Sequence, residues 1–393
     1  MQESAESIMK VTGAEIYVVR GGPVTPVLLE LRTDEGITGI GEAAVAYGLG
    51  QTAVAGMLRE MIERDVLGKE AFRIEELWNL LYDQSFWTKG GGAIPFAAIS
   101  AIETALWDIK GKAVGLPVYE FLGGRINDEL PVYANGWNYH CHSALDWARA
   151  SERPLKDGYR SLKCYPLATQ LPGGTLRHVS RRALSRDDTN LAFERVKELR
   201  NAVGPEIEIL IDLSGGLTTD ETIRLARRYE DLDLGWLEEP TDPNHLAALK
   251  KVSDTVNIPI AAGERVYTAR SFHNIISAQA VDIVQPDIGN TGGILETKKI
   301  AAMAEAANMR VALHNCASTL STAVTLQVSS CLSNAINLEV YPYFKDSNGY
   351  VQVLEDSPED RIRDGRLASG DGPGLGVTLA KSRLKDFLWG TCG

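Results

Sequence analysis

A chain of 393 residues, 44% hydrophobic and 23% charged, is long enough to bury a large core and is expected to divide into two domains. The formal net charge of -12 excludes a general nucleic-acid binder, because no basic face is available to displace counterions from phosphates. No apolar run approaches the roughly 18 residues that span a bilayer, and MQESAESIMK has no basic region leading into an apolar stretch; a cytoplasmic protein without membrane partners is expected.

From residue 9 to about residue 38 the pattern predicts two strands, AEIYVVRGG and PVLLELRTDEG, broken at Gly21-Gly22-Pro23 and Asp34-Glu35-Gly36. After GIGEA the periodicity becomes helical, from about Thr52 to Tyr82 and from Ala93 to Val114. Strands followed by a block of helices predict an α+β unit over 1–129. From Leu130 short apolar segments alternate with amphipathic ones: LPVYANGW, RSLKCYPL, IEILIDLS, LGWLEEP, IPIAAGER, AVDIVQPD, RVALHN and INLEVY. Eight strands with helical crossovers predict a barrel of parallel strands wrapped in helices over 130–345. The rhythm stops after Tyr341, and 346–393 is expected to pack back on the first unit.

Cys141, Cys164, Cys316, Cys331 and Cys392 show no paired spacing and suit reduced thiols. His140, Cys141 and His142 are adjacent, which is poor spacing for tetrahedral chelation, so NYHCHS is read as an ordinary loop.

Polar residues end the predicted strands at nearly constant intervals. Asp212 to Glu238 is 26 residues, Glu238 to Glu264 is 26, Glu264 to Asp287 is 23, Asp287 to His314 is 27 and His314 to Glu339 is 25. In such a barrel the C-terminal strand ends open on one mouth, where residues distant in sequence converge. A single strand-end carboxylate is ordinarily a salt bridge or a helix cap. Three in register, Asp212, Glu238 and Glu264, would repel one another unless a hard cation such as Mg²⁺ joined them, so they are the predicted metal ligands. Glu239 is left as a supporting residue or a partner for a neighbouring base. On the next two strands Asp287 could accept the imidazole N–H of His314, raising its basicity and making a general base, although a lone His is more often structural. Lys163 and Tyr165 share a strand face, with Cys164 pointing away. Lys163 could bind a substrate carboxylate or act as a base; the plain alternative is a solvated lysine.

Together IDLSGG, WLEEP, AGER, QPD, GNTGG and LHN resemble the mandelate racemase branch of the enolase superfamily, as do ALWDIKGKAVGLPVYEFLGG and DGPGLGV outside the barrel. DQSFWTKGGG and AAGERVYT are similar to stretches of galactonate- and mannonate-type sugar-acid dehydratases. The resemblance implies a modified TIM barrel with an N-terminal α+β capping domain, Mg²⁺ on Asp212, Glu238 and Glu264, a base from Asp287 and His314, and Glu339 at the substrate carboxylate. It also implies a dimer or octamer, and capping loops, carrying Arg20 and Tyr47, that cover the mouth. The shared chemistry is removal of a proton α to a carboxylate, which demands electrostatic stabilisation of an enediolate.

Two departures matter. Many relatives carry Lys-x-Lys where this chain has Lys163 and Tyr165, and the resembled dehydratases often carry Asp-x-His where it has Asp212, Leu213 and Ser214. With His314 as the one conventional base, the site is asymmetric: racemisation is disfavoured, and a dehydratase acting on a small anionic sugar acid is expected, with His314 or Tyr165 protonating the leaving hydroxyl. The alternatives are an epimerase or cycloisomerase on a related acid or lactone, and a binding protein with weak catalysis. Finally, ATQLPGGTLRHVSRRALSRDDTN is longer than the roughly 2–6 residues usual between strand and helix. Its Arg177, His178, Arg181, Arg182 and Arg186 make it a candidate lid or oligomer contact, against the plain reading of a solvated charged loop.

Overall fold

Three antiparallel strands, Val11–Val18, Val27–Thr33 and Thr38–Ala43, open the chain in the computed structural model, which describes residues 9–170, 176–178 and 184–393. The third strand falls where the sequence reading ended the strands. Its glycines disguise it, and packing explains them: a Cβ on Gly39 would lie 2.0 Å from the Ala105 carbonyl oxygen, and one on Gly41 2.1 Å from that of Ala101. Both carbonyls belong to the long helix Ala93–Val114, which lies flush on the strand. The helical stretch expected over 52–82 is broken into Gln51–Met61, a wider turn Ile62–Val66, and Ile74–Gln84. The break occurs where Lys69 accepts a hydrogen bond from the Val11 N–H and Ala71 donates one to Met9. Leu388–Cys392 completes this sheet, pairing antiparallel with Val11–Val18 on its free edge.

The eight barrel strands are Glu129–Ala134, Ser161–Cys164, Glu208–Asp212, Leu234–Glu238, Ile260–Ala262, Ile283–Val284, Arg310–Leu313 and Ala335–Val340. Each is parallel to its neighbours, and the last closes on the first through Leu338 beside Val132 and Glu339 beside Tyr133. Alternation divides each strand between two environments. Ile209 and Ile211 face the helices, whereas Tyr133, Leu210, Trp236, Ala261, Ile283 and Ala312 fill the barrel interior as a separate buried layer. One step further along, the inward positions become polar, and the site begins there.

Four side chains of the capping domain hold the barrel loops in place. Glu103 accepts from the Ile294 and Leu295 N–H groups at 2.8 and 3.0 Å, capping the start of helix Ile294–Ala306. Trp78 donates to the Gly292 carbonyl at 2.8 Å, and Ser100 accepts from the Gly292 N–H at 2.9 Å. Glu42 accepts from the Ser318 and Ser321 N–H groups at 3.0 and 3.1 Å, at the start of helix Thr319–Ser329. These contacts fix the loops that follow Asp287 and His314. Among the described residues, no helix is long and apolar enough to cross a membrane.

Candidate active site

Strand register sets Asp212 beside Glu238, and Glu264 follows two residues after the next strand. One oxygen from each of the three carboxylates lies within 4.8 Å of the other two. Asp212 is held by the Ser214 N–H at 2.6 Å and by the Ser214 hydroxyl at 3.2 Å. Glu238, fully buried, accepts from Trp236 Nε1 at 2.9 Å and from Lys163 Nζ at 2.5 Å. Burial, with Asp212 and Glu339 adding to it against the pull of Lys163, pushes the Glu238 carboxyl up to about 8. Glu264 is pushed up to about 7, by burial first and by Glu239 and Asp212, with His314 opposing. Carboxylates that resist ionisation together are the donor set a hard divalent cation satisfies, so the residues present fit the implied metal. Among the described residues, His140, Cys141 and His142 form no such cluster; Cys141 Sγ instead lies 3.6 Å from the Asp146 carbonyl oxygen.

Lys163 lies on one flank, with no exposed surface. Its ammonium is 2.5 Å from Glu238, 3.1 Å from Glu339 and 3.6 Å from Asp212. Burial works against its charge, but Glu238 and Glu339 outweigh it and hold the pKa well above the usual lysine value. Glu339 is likewise buried; Lys163, His314, Asn135 and the Asn315 N–H overcome the cost of burial and hold it below the ordinary carboxylate range. On the opposite flank His314 Nδ1 is 2.7 Å from Asp287 Oδ2. The other nitrogen is already occupied, 3.1 Å from Glu264 Oε2, whereas the sequence reading left it directed at the mouth. Although burial lowers the imidazole pKa, Glu264 and Asp287 prevail and raise it to about 10. Glu239 is a partner for a base: Arg265 reaches it at 2.5 Å, and the Gly263 N–H at 3.0 Å.

Tyr165 stands beside Lys163, whose ammonium is 6.0 Å from the ring centre, while Cys164 turns away into the core. Burial, with Tyr139 adding to it, lifts the phenol well above its usual pKa. Asn135, just past the end of the first barrel strand, is a residue the sequence reading passed over. Its Nδ2 lies 2.8 Å from the Tyr165 oxygen, 2.7 Å from Glu339 Oε1 and 2.8 Å from the Tyr341 oxygen. The available signal was its place at a strand end, in LPVYANGW.

Capping and barrel loops enclose a cleft of about 940 Å³ whose lining includes Gly22, Tyr47, Trp137, Tyr139, Leu176 and Cys316. Tyr47 thus lines this cleft, whose walls are loop residues and not the carboxylate cluster itself, but Arg20 is exposed, its guanidinium 3.4 Å from Thr52. In the long loop Thr169–Gln170 pairs with Leu176–Arg177. Arg181 and Arg182 lie outside the described residues, and Arg177 is exposed. Arg186 belongs to the helix Arg186–Val203, whose start is capped by Ser185, so the loop is shorter than its charged run. Among the described residues of the loop, His178 turns inward, its Nδ1 2.9 Å from Ser214 Oγ.

The barrel region, residues 146–383, matches the family profile described as enolase C-terminal domain-like. Residues 21–123 match that of the mandelate racemase / muconate lactonizing enzyme N-terminal domain. The chain is 31% identical to a D-xylonate dehydratase of Haloferax volcanii over 357 residues, covering 90% of this chain and 83% of that protein. It is 33% identical to a D-galactonate dehydratase of Xanthomonas axonopodis pv. citri over 359 residues, covering 91% and 89%. A solved structure from Mesorhizobium loti superposes with a TM-score of 0.94 at 53% identity, covering 98% of this chain and all of that one.

Proposed function

Since the chain belongs to the mandelate racemase and muconate lactonizing enzyme branch of the enolase superfamily, we propose that it is a Mg²⁺-dependent sugar-acid dehydratase releasing a 2-keto-3-deoxy acid. The observation that carries this reading is the juxtaposition at one barrel mouth of the Asp212, Glu238 and Glu264 cluster, a charged lysine on one flank and an Asp–His pair on the other. The relatives named as dehydratases of galactonate and xylonate supply the substrate class.

Asp212, Glu238 and Glu264 would hold the cation, which when bound supplies positive charge against a developing enediolate. Lys163, buried and kept charged by Glu238 and Glu339, adds a second fixed positive charge beside the cluster, and Glu339 fixes its position. His314 takes the α-proton, with Asp287 holding Nδ1 and thereby the tautomer. A protonated His314 is no base, and its contact with Glu264 contributes most to keeping it protonated. Charge neutralisation on Glu264 therefore restores the imidazole to a range where it accepts a proton near neutrality. Lys163 is locked among carboxylates and cannot serve as the second base, which argues against racemisation. Tyr165, whose phenol keeps its proton tightly, suits hydrogen bonding better than proton transfer.

The test is incubation of the purified protein and Mg²⁺ with a panel of mono- and diacid sugars including D-galactonate, D-gluconate and D-xylonate, assayed for 2-keto product. Turnover of an acid that vanishes in His314→Asn supports the assignment. Exchange of the α-proton with solvent deuterium and no loss of water identifies an epimerase instead, and ligand-induced thermal stabilisation with no product or exchange identifies a binding protein.

A further inference from the structure

On the flank away from His314, the third barrel strand ends at Asp212, and after Leu213 comes Ser214 with φ 54°, a left-handed conformation unusual for serine. Ser214 offers only a short hydroxyl, which reaches both Asp212 Oδ1 at 3.2 Å and His178 Nδ1 at 2.9 Å. His178 comes from the long loop after the second strand, and its ring packs edge-on against Tyr165 with centroids 5.6 Å apart. Its other nitrogen, Nε2, is 3.3 Å from the Tyr47 hydroxyl of the capping domain. That hydroxyl donates to the Leu176 carbonyl at 3.0 Å, so toward His178 it is an acceptor. The Ser214 hydroxyl, when it donates to Asp212, is an acceptor too. With the Tyr47 hydroxyl donating to Leu176, Nε2 is the nitrogen that carries a proton toward Tyr47, while Nδ1 is one hydroxyl removed from the carboxylate cluster; Tyr47 and Leu176 line the cleft.

From this geometry we propose that His178 is the general acid of the elimination, delivering its Nε2 proton to the departing hydroxyl, with Ser214 and Tyr47 as positioning residues. The inference rests on the dehydratase reading. His314 removes the proton from Cα and the C–H electron pair becomes the C1=C2 bond of an enediolate; as the enediolate collapses the carboxylate re-forms, the C2=C3 bond forms and the C3–O bond breaks. The leaving oxygen takes the Nε2 proton of His178 and departs as water. The resulting enol tautomerises to the 2-keto acid, and His314 and His178 return to their starting states by giving a proton to solvent and taking one back. Burial lowers the pKa of the ring, and Arg265 adds to it, while the Asp212 charge offsets part of that cost, and a ring so poised gives its proton up readily. Base and acid stand on opposite sides of the mouth, so the C2 hydrogen and the C3 hydroxyl must leave from opposite faces of the substrate.

The experiment compares wild type with His178→Asn and His178→Gln on the sugar acids named above, following 2-keto product, solvent-deuterium exchange at Cα, and loss of fluoride from the 3-deoxy-3-fluoro analogue. General acids contribute about 10²–10⁴-fold. The expected result is a loss of hydroxyl elimination of about that size, with α-exchange retained and fluoride elimination close to wild type, since fluoride needs no proton to leave. Wild-type hydroxyl elimination in both variants overturns the proposal. So does equal loss of all three signals, which marks a binding or folding role. Failure of wild type to release water from any acid overturns the dehydratase reading, and the proposal falls with it.

Discussion

Replacing Lys163 by Met removes a buried charge while nearly keeping its volume. Three carboxylates lose their shared counter-charge: Glu238 at 2.5 Å, Glu339 at 3.1 Å and Asp212 at 3.6 Å. Removing one partner of a buried ion pair costs about 3–5 kcal/mol, because the other charge remains in the interior. At about 2.1 cal/mol/K per residue, unfolding of the 393-residue chain carries an entropy of about 0.8 kcal/mol/K, so the loss lowers Tm by about 5 °C in EDTA. The deficit shrinks as pH falls from 8.5 to 6. The folded-state carboxyls, Glu238 already at about 8 beside Lys163, bind protons that the unfolded chain does not, so protonation relieves the repulsion in the folded state. Mg²⁺ has the opposite bias: the more negative site binds it more tightly, and each tenfold gain in affinity adds about 1.4 kcal/mol at saturating cation, or about 2 °C. Scanning calorimetry of both proteins in EDTA and in Mg²⁺, at both pH values, measures all three effects. An EDTA Tm within about 1 °C of wild type, or a Mg²⁺ gain no larger than wild type's, would refute the view that Lys163 is the counter-charge of the cluster.

The metal set itself is tested by Asp212→Asn, Glu238→Gln and Glu264→Gln, each expected to abolish the Mg²⁺-induced rise in Tm. With Glu238 at about 8 and Glu264 at about 7 before metal binds, Mg²⁺ must displace protons at neutral pH. Calorimetric titrations in buffers of different ionisation enthalpy should therefore show proton release at neutral pH, with His314, at about 10 until Glu264 is neutralised, extending that release above pH 8 so that it fades only toward pH 10, and with affinity strengthening as pH rises from 6; no buffer dependence would count against it. Gly41→Ala forces a Cβ to 2.1 Å from the Ala101 carbonyl, so the strand must lift off the helix; a loss of at least about 1–3 kcal/mol in urea unfolding is expected, and a neutral result would show that the close approach is not required. Glu103→Ala strips the acceptor from the Ile294 and Leu295 amides, at a cost of about 1–3 kcal/mol per orphaned donor, and should speed hydrogen exchange there before elsewhere in the barrel.

What was legible in the sequence followed from repetition. A βα barrel imposes a period, and Asp212, Glu238, Glu264, Asp287, His314 and Glu339 carry their chemistry at one phase of it, so their convergence could be read without coordinates. The same alternation separates Lys163 from Cys164. The third capping strand escaped because its two glycines, poor strand formers, answer to a helix about 60 residues away in the chain, and local propensity gives no sign of such a contact.

The loop follows a different logic, and His178 shows where reading by period ends. Its neighbours Tyr47 and Ser214 are 131 and 36 residues distant in sequence, and they meet only because the capping domain closes over the third strand end. Nothing in a run of arginines distinguishes the one histidine that turns inward, since charge in a loop reads as solvated until a partner is seen. Ser214 is the converse case, a polar residue just past a strand end that seemed to lack the chemistry its position called for. In three dimensions these two irregularities are one feature: the short serine leaves room beside Asp212, and the loop places an imidazole there. An absence at a periodic position is therefore best paired with an excess in a neighbouring loop, since the mouth of a barrel can be furnished from either.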